Sequence, residues 1–216
     1  MIWKIRKLLK IILLIILIVI ILLSIHTIRN FIIIKEIQNN VSKYLMSTNY
    51  HIKSVATEKD GVIVTVNYYE KDNKQAMIME RNNNGTIAKM SMYNNGETTN
   101  IYYDNEVEKT VQLDANVTLW FKIFDCLETE NNGQTLVKSL TSSIRTTEYN
   151  GKECYIVNLF MNNGGEKNEY YIDKETGLYV KANIYDQITE REYEFDNVSD
   201  EIFTEPDISQ YTIQEE

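Results

Sequence analysis

An unbroken apolar segment near the N-terminus limits what this chain can fold into. Every residue from 11 to 25 is apolar except Ser24. A helix over residues 8–28 would be ~31 Å long, which matches the ~30 Å hydrocarbon core of a bilayer. Lys10 lies within this stretch, but its long side chain can reach back to the lipid headgroups. The segment therefore predicts one membrane-spanning helix.

Basic residues on one side of the segment indicate its orientation. Lys4, Arg6, Lys7 and Lys10 all precede residue 11. Cytoplasmic flanks carry the excess of Lys and Arg, so we expect the N-terminus in the cytoplasm and the rest of the chain across a cell membrane. A cleavable signal peptide is the alternative, but its apolar region is usually ~7–15 residues long and ends in small residues. Residues 23–26 (LSIH) lack such a cleavage pattern, so an uncleaved anchor is favoured.

Charge distinguishes the N-terminal anchor from the rest of the chain. The first 35 residues contain six of the 22 Lys and Arg and no acid. Residues 36–216 therefore contain 16 Lys and Arg and all 31 Asp and Glu, which gives them a net charge of −15. Such a surface repels phosphate, which argues against nucleic-acid binding. We divide the chain into a basic cytoplasmic segment (1–10), a transmembrane anchor (11–28), a connecting amphipathic helix (29–50) and an extracytoplasmic β domain (51–216).

From His51 onward, apolar and polar residues alternate with the period of a β-strand. Strands are predicted at 52–57, 62–70, 74–81, 86–93, 98–104, 107–113, 143–149, 152–160, 167–173, 178–185 and 189–197. Asp60-Gly61, Asn84-Gly85, Asn95-Gly96 and Asn150-Gly151 favour two-residue hairpin turns between strands. A helical spacing at 115–128 and a short helix at 136–140 interrupt the series once. We expect an α+β fold in which about eleven antiparallel strands, in chain order, form a sheet that must curl or close.

The turns also predict which residues face each other. A turn centred on Asn84-Gly85 pairs Met79 with Met90 and Met77 with Met92, and it places Glu80 opposite Lys89. In the same way, Asn95-Gly96 predicts the pairs Thr99–Met92, Ile101–Met90 and Tyr103–Ala88. Asn150-Gly151 predicts Val157–Ile144 and Tyr155–Thr146. One face of the sheet is therefore expected to be apolar across several strands.

This apolar face has two interpretations. It is the core beneath the helix at 115–128, where methionine fills gaps, or it is a partly uncovered concave face that accepts an acyl chain or a lipidated peptide. Periodicity alone favours the core. The residues that would line a ligand site are Met77, Met79, Met90, Met92, Ile101, Tyr103, Trp120, Phe124, Tyr155 and Val157.

Three stretches resemble a known family. They are residues 150–157 (NGKECYIV), 169–181 (EYYIDKETGLYVK) and 193–211 (YEFDNVSDEIFTEPDISQY). Together they resemble the lipoprotein-carrier superfamily of LolA/LolB-like proteins, especially its membrane-anchored members in Gram-positive bacteria. The resemblance implies an unclosed antiparallel barrel of about eleven strands wrapped over helices, and lipid or lipoprotein acyl chains as ligand. It implies no catalytic residues, and a tether argues against shuttling between membranes.

Catalytic and metal-binding patterns are missing from the sequence. The β domain has a single histidine, His51, and its two cysteines are 28 positions apart, so no zinc spacing exists. We expect no enzyme and no cofactor, and we interpret Glu190, Glu192 and Glu194 as a solvated strand face. Cys126 and Cys154 lie where a disulfide could persist, although free thiols are the default expectation.

Two functions remain open besides an enzyme acting on cell-wall or lipid substrates. The leading hypothesis is a membrane-tethered binding protein for lipid or lipidated protein, in contact with the bilayer through residues 11–28. The alternative is a non-catalytic interaction or envelope-sensing module with a filled barrel and an envelope protein as partner.

Overall fold

The computed structural model describes residues 2–58, 60–117, 119, 127, 131–160, 167–184 and 187–214. Its helices are α1 (Ile2–Val41) and α2 (Asn132–Thr141), with 3-10 turns at Asp200–Phe203 and Ile208–Gln210. Its strands are β1 (Asn49–Thr57), β2 (Ile63–Lys71), β3 (Lys74–Asn83), β4 (Thr86–Asn94), β5 (Thr99–Asp104), β6 (Lys109–Ala115), β7 (Ser143–Tyr149), β8 (Lys152–Phe160), β9 (Lys167–Asp173), β10 (Tyr179–Ile184), β11 (Gln187–Phe195) and β12 (Thr212–Ile213).

All twelve strands belong to one sheet, in the order β12-β6-β5-β4-β3-β2-β1-β11-β10-β9-β8-β7. The eleven predicted strands are confirmed, and consecutive strands pair antiparallel within β1–β6 and within β7–β11. The predicted chain order fails at one place, because β1 pairs antiparallel with β11 and β6 does not pair with β7. The addition is β12, which pairs parallel with β6 through Thr212 and Thr110. The sheet is unclosed, with β12 and β7 at its edges. The α+β class with a curved, unclosed sheet after a long apolar helix is therefore confirmed.

Helix α1 joins the predicted anchor and the predicted connecting helix in one 40-residue rod, ~60 Å long at ~1.5 Å per residue. Its large apolar residues from Leu8 to Leu23 are all exposed, and Arg6–Val41 is long and apolar enough to cross a membrane. Further along, Ile34 and Ile37 are buried against the sheet. The same helix thus has an uncovered first half and a second half that forms part of the core.

The inner face of the sheet, the side that packs on α1, follows from the alternation of each strand. Ile52 on β1, Tyr68 on β2 and Ile172 on β9 point to this side and are buried. The turn between β9 and β10 holds the end of α1, because Asn40 Nδ2 donates to the Lys174 carbonyl at 2.8 Å. The core therefore lies between the second half of α1 and the concave side of the sheet.

The predicted register is confirmed at two hairpins and wrong at a third. Met79 faces Met90, Met77 faces Met92 and Val157 faces Ile144, as predicted. After Asn95-Gly96, however, Met92 faces Ile101 and Met90 faces Tyr103.

The physical reason for the third register lies in the turn backbone. Asn84 and Gly85 both have positive φ, as a two-residue type I′ turn requires. At Asn95-Gly96 only Gly96 does. Asn95 Oδ1 accepts hydrogen bonds from the backbone N–H groups of Glu97 and Thr98, at 3.0 and 3.1 Å, which makes a longer loop. The register therefore moves by two residues, which keeps every side chain on its predicted face.

The two predicted helices beyond residue 114 differ in outcome. The short helix at 136–140 is confirmed as α2, which begins earlier because the side chain of Asn131 accepts from Gln134 N–H at 3.0 Å and caps it. The predicted helix at 115–128 lies largely outside the described residues. Its first residue, Ala115, ends β6.

Candidate functional site

The candidate site lies on the inner face of the methionine hairpin, the name we give to β3 and β4. Met77, Met79, Met90 and Met92 share this face because each pair is directly opposed across the ladder. The partner strands extend it, since Val66 of β2 faces Met79 and Tyr103 of β5 faces Met90. Four neighbouring strands thus form one continuous apolar surface.

One half of this surface is packed. Met92 is 9% exposed and Ile101 is 3% exposed, and both belong to the same buried cluster as α1. Met77 is partly buried against that cluster, as are Met90 and Tyr103 at the border of the packed half. Towards the other edge of the sheet, Val157 is fully buried and Tyr155 is 8% exposed. These residues of the expected ligand site contribute to the core, and ligand contact stays a prediction for them.

The other half is only partly covered, and we call it the open patch. All its side chains are half-buried. Its members are Val64, Val66, Met79, Met90 and Tyr103. The patch lies towards the ends of β3 and β4 at the Asn84-Gly85 turn, on the same strands as the packed half. Apolar side chains are usually covered in a sheet of this kind, so a half-exposed group on a concave face is a candidate binding surface.

A pocket of about 160 Å³ lies at this end of the hairpin. Met79, Met90 and Tyr103 form its apolar part, and Arg81, Ala88, Lys89, Asp104 and Asn105 complete its lining. Ligand sites usually measure ~300–1,000 Å³, so the observed space accepts only part of a large ligand. A longer apolar chain would require the flexible methionine side chains to move, which their unbranched thioethers permit.

Charged side chains border the open patch on one side. Arg81, which lines the pocket, contacts Glu58 at 3.2 Å. An apolar floor with a charged border is suited to an amphiphile, whose chain is apolar and whose head is polar. On the opposite face of the same strands, Asp104 lies 2.7 Å from Lys109, and this hydrogen bond raises the pKa of Lys109 above its usual value.

The remaining predicted residues lie elsewhere or outside the described chain. Tyr155 donates to the carboxylate of Glu36 on α1 at 3.2 Å and packs on α1 rather than on the open patch. Trp120, Phe124 and Cys126 lie outside the described residues. Cys154 is a free, fully buried thiol whose pKa is raised by burial, and it faces away from Tyr155 and Val157, as its position on β8 predicts.

A larger pocket of about 520 Å³ lies along β11 and is lined by both charged and apolar side chains, among them Tyr193 and Phe195. Its lining includes Glu190, Glu192 and Glu194, which are exposed. Each has a partner on the outer side of the sheet: Tyr149 donates to Glu190, Lys53 contacts Glu192 at 3.1 Å, and His51 lies 3.5 Å from Glu194. These three carboxylates therefore lie on an exposed strand face. Within the described residues, no group of three or more His, Cys, Asp or Glu could hold a metal ion.

Sequence reasoning missed two members of the open patch, Val64 and Val66. The signal was present at Asp72-Asn73, where both residues have positive φ and form the tight turn between β2 and β3. Asn and Asp tolerate this conformation, but the pair lacks the glycine that marks the other turns. Recognition of that turn would have placed Val66 opposite Met79.

Comparison with known proteins adds similarity of fold only. No protein-family model matches the sequence, and no curated protein is significantly similar to it. An uncharacterized conserved protein from Thermus thermophilus is similar in structure, with a TM-score of 0.47 and 9% identity over 83% of this chain and 98% of that chain. MucB in complex with MucA(peri) is similar with a TM-score of 0.37 and 10% identity, over 78% of this chain and 58% of MucB. Both TM-scores are below 0.5, so we infer neither family nor ligand from them.

Proposed function

We propose that this chain is a membrane-tethered, extracytoplasmic binding protein of LolA-like fold, of the membrane-anchored type seen in Gram-positive bacteria. In this proposal the open patch binds the acyl chain of a lipid or of a lipidated protein. The observation that carries it is the partial exposure of Met79, Met90 and Tyr103 around a pocket on the concave face. In this proposal the protein acts by binding and carries out no catalysis.

The tether supports the same proposal. The uncovered half of α1 is long enough to cross a bilayer. Its basic N-terminal residues favour a cytoplasmic N-terminus. The domain would then stand on the outer surface with its concave face held near lipid, where a carrier need not diffuse to meet its ligand.

Lipid analysis of matched variants tests the proposal. The full chain is purified from membranes, extracted, and its bound lipid is quantified by mass spectrometry. Met90→Lys places a charge in the open patch, and we expect it to lower the lipid recovered per protein at least fivefold. Ile87→Lys is the control, because Ile87 lies on the opposite face of the same strand and is 51% exposed. Equal lipid recovery from both variants would argue against the open patch as the site.

A second candidate function is a protein-interaction module with a filled barrel. The observation that favours it is that Met92, Ile101 and Val157 are buried in the same core cluster as the second half of α1. It predicts that a cross-linked protein partner, stoichiometric with this chain, is recovered from both the wild type and Met90→Lys. Loss of that partner in Met90→Lys would contradict the second candidate.

A further inference from the structure

Helix α2 exposes apolar residues and buries polar ones. Thr135 and Ser139 are fully buried, whereas Leu136, Val137 and Leu140 are 53%, 62% and 52% exposed. A helix on a water-facing surface normally has the opposite arrangement. The three exposed residues lie on one side of the helix, because they are spaced by one, three and four positions. We call them the α2 stripe.

Buried hydrogen bonds fix the C-terminal end of α2 against α1. Asn30 is fully buried, and its Nδ2 lies 3.0 Å from the carbonyl oxygens of both Ser139 and Ser142. His26 Nε2 lies 3.2 Å from the same Ser142 oxygen. Small side chains at Thr135 and Ser139 allow the helices to approach closely. The end of α2 is therefore held beside residues 26–30 of α1.

This position coincides with the outer boundary of the predicted membrane span. A span over residues 8–28 ends within one turn of His26 and Asn30. On the side of α1 away from the sheet, Ile28 and Ile32 are each 60% exposed, so the apolar surface of the anchor continues past this level. Further along α1, Gln38 Nε2 donates to the Leu127 carbonyl at 2.9 Å. Leu127 is therefore held further from the predicted span along α1 than Ser142 is.

Local charge also separates this segment from the rest of the domain. Residues 131–147 contain two cations, Lys138 and Arg145, and no acid. The remainder of the outer part is strongly acidic and would be repelled by anionic lipid. A neutral-to-basic segment with an apolar stripe is the composition that binds the membrane interface.

We propose that the α2 stripe inserts into the outer leaflet of the membrane that α1 spans. The ligand of this surface is the lipid bilayer, and α2 acts as a second contact that sets the orientation of the domain about its anchor. One helix alone leaves a domain free to rotate about its axis, whereas two contacts at the same level fix which side faces the lipid. The inference rests on the proposed membrane tether.

Site-directed fluorescence on the full chain in lipid nanodiscs tests the proposal. A single environment-sensitive probe is attached at Leu140→Cys, and in a second sample at Val137→Cys, in a Cys126→Ser background with the buried Cys154 left in place. Quenching by nitroxide-bearing lipids is compared with quenching by aqueous iodide. Met46→Cys is the control, because Met46 is also apolar and 88% exposed but follows the far end of α1. Leu17→Cys reports on the anchor itself.

We expect lipid nitroxides to quench the probes at positions 140 and 137 at least threefold more than the probe at position 46, with iodide showing the reverse order. Strong lipid quenching at position 17 with iodide quenching at 140 and 137 would overturn the α2 proposal and leave the tether intact. Protection at 140 and 137 from both quenchers would assign the stripe to a protein partner or a second copy, and it would also overturn the proposal. Iodide quenching at position 17 would refute the tether itself.

Discussion

At the scale of single residues, Glu70 on the inner face is a hydrogen-bond acceptor shared by three side chains. Its Oε2 accepts hydrogen bonds from Tyr50 at 2.8 Å, from Tyr68 at 2.7 Å and from Gln75 at 3.3 Å. Both tyrosines are nearly or fully buried, at 5% and 1% exposure. One carboxylate thus satisfies side chains from three adjacent strands, β1, β2 and β3.

Removal of this acceptor should destabilise the domain. We expect Glu70→Ala to lower the free energy of unfolding by about 1–3 kcal/mol, because it leaves two buried hydroxyls without their acceptor. Glu80→Ala is the control, since Glu80 is exposed and lies 3.8 Å from Lys89, so its loss should change stability by less than about 0.5 kcal/mol. Denaturant titration of both variants measures the difference. Equal changes in the free energy of unfolding for the two variants would contradict a stabilising role of the shared Glu70 carboxylate.

A second residue-scale prediction concerns alkaline pH. Burial and the hydrogen bond to Glu190 raise the pKa of Tyr149 to about 12, whereas in the unfolded chain its pKa is ~10. As the pH rises, the Tyr149 hydroxyl therefore loses its proton in the unfolded chain before it does so in the folded protein. The stability that this hydroxyl contributes is fully present below pH ~10 and is lost as the pH rises towards 12. The stability difference between wild type and Tyr149→Phe should shrink over that interval. Denaturant titrations at pH 9 and pH 12 measure it, and a constant difference would contradict the raised pKa.

At the scale of secondary-structure elements, the β9–β10 turn and the end of α1 are in close contact. A Cβ added at Gly177 would lie 2.5 Å from the Ile37 carbonyl oxygen and 2.9 Å from the Val41 nitrogen. Both atoms belong to the helix backbone and cannot rotate away. The turn therefore holds α1 in the concave face only because residue 177 has no side chain.

Gly177→Ala should separate α1 from the sheet. Its φ of +74° adds backbone strain to the clash, whereas Gly85→Ala has positive φ with nothing within 4 Å and incurs the strain alone. We expect Gly85→Ala to lower the free energy of unfolding by about 1–2 kcal/mol. Gly177→Ala should lower it by at least ~2 kcal/mol more. Thermal unfolding of the two variants compares them. Similar losses of stability in the two variants would mean that the C-terminal end of α1 can move to accommodate the added methyl group.

The elements also show where sequence reasoning succeeded. Alternation identified eleven strands, and turns with two positive-φ residues, such as Asn84-Gly85, set the register. The Asn95-Gly96 loop differed because the Asn95 side chain caps two backbone N–H groups, which is a local competition that residue type alone does not resolve. The predicted face of each side chain was still correct, because a register shift of two residues keeps it on the same side of the sheet.

At the scale of the whole molecule, the sequence could not show which half of the apolar face is open. Met92 and Met90 lie two residues apart on one strand, yet one is 9% exposed and the other half-buried. Their difference arises from long-range packing in the core cluster, which neither periodicity nor turns encode. The same holds for the α2 stripe, because the burial of Thr135 and Ser139 depends on α1.

In the proposed function, the open patch receives an acyl chain while the protein is in its membrane. The most direct measurement places a photo-reactive benzoyl-phenylalanine at Met90 in the membrane-embedded full chain and, as control, at Ile87 on the opposite face. After irradiation, adducts are identified by mass spectrometry. We predict lipid or lipidated-peptide adducts at position 90 at several times the yield at position 87. No adduct at position 90, or equal yields at both positions, would contradict the account.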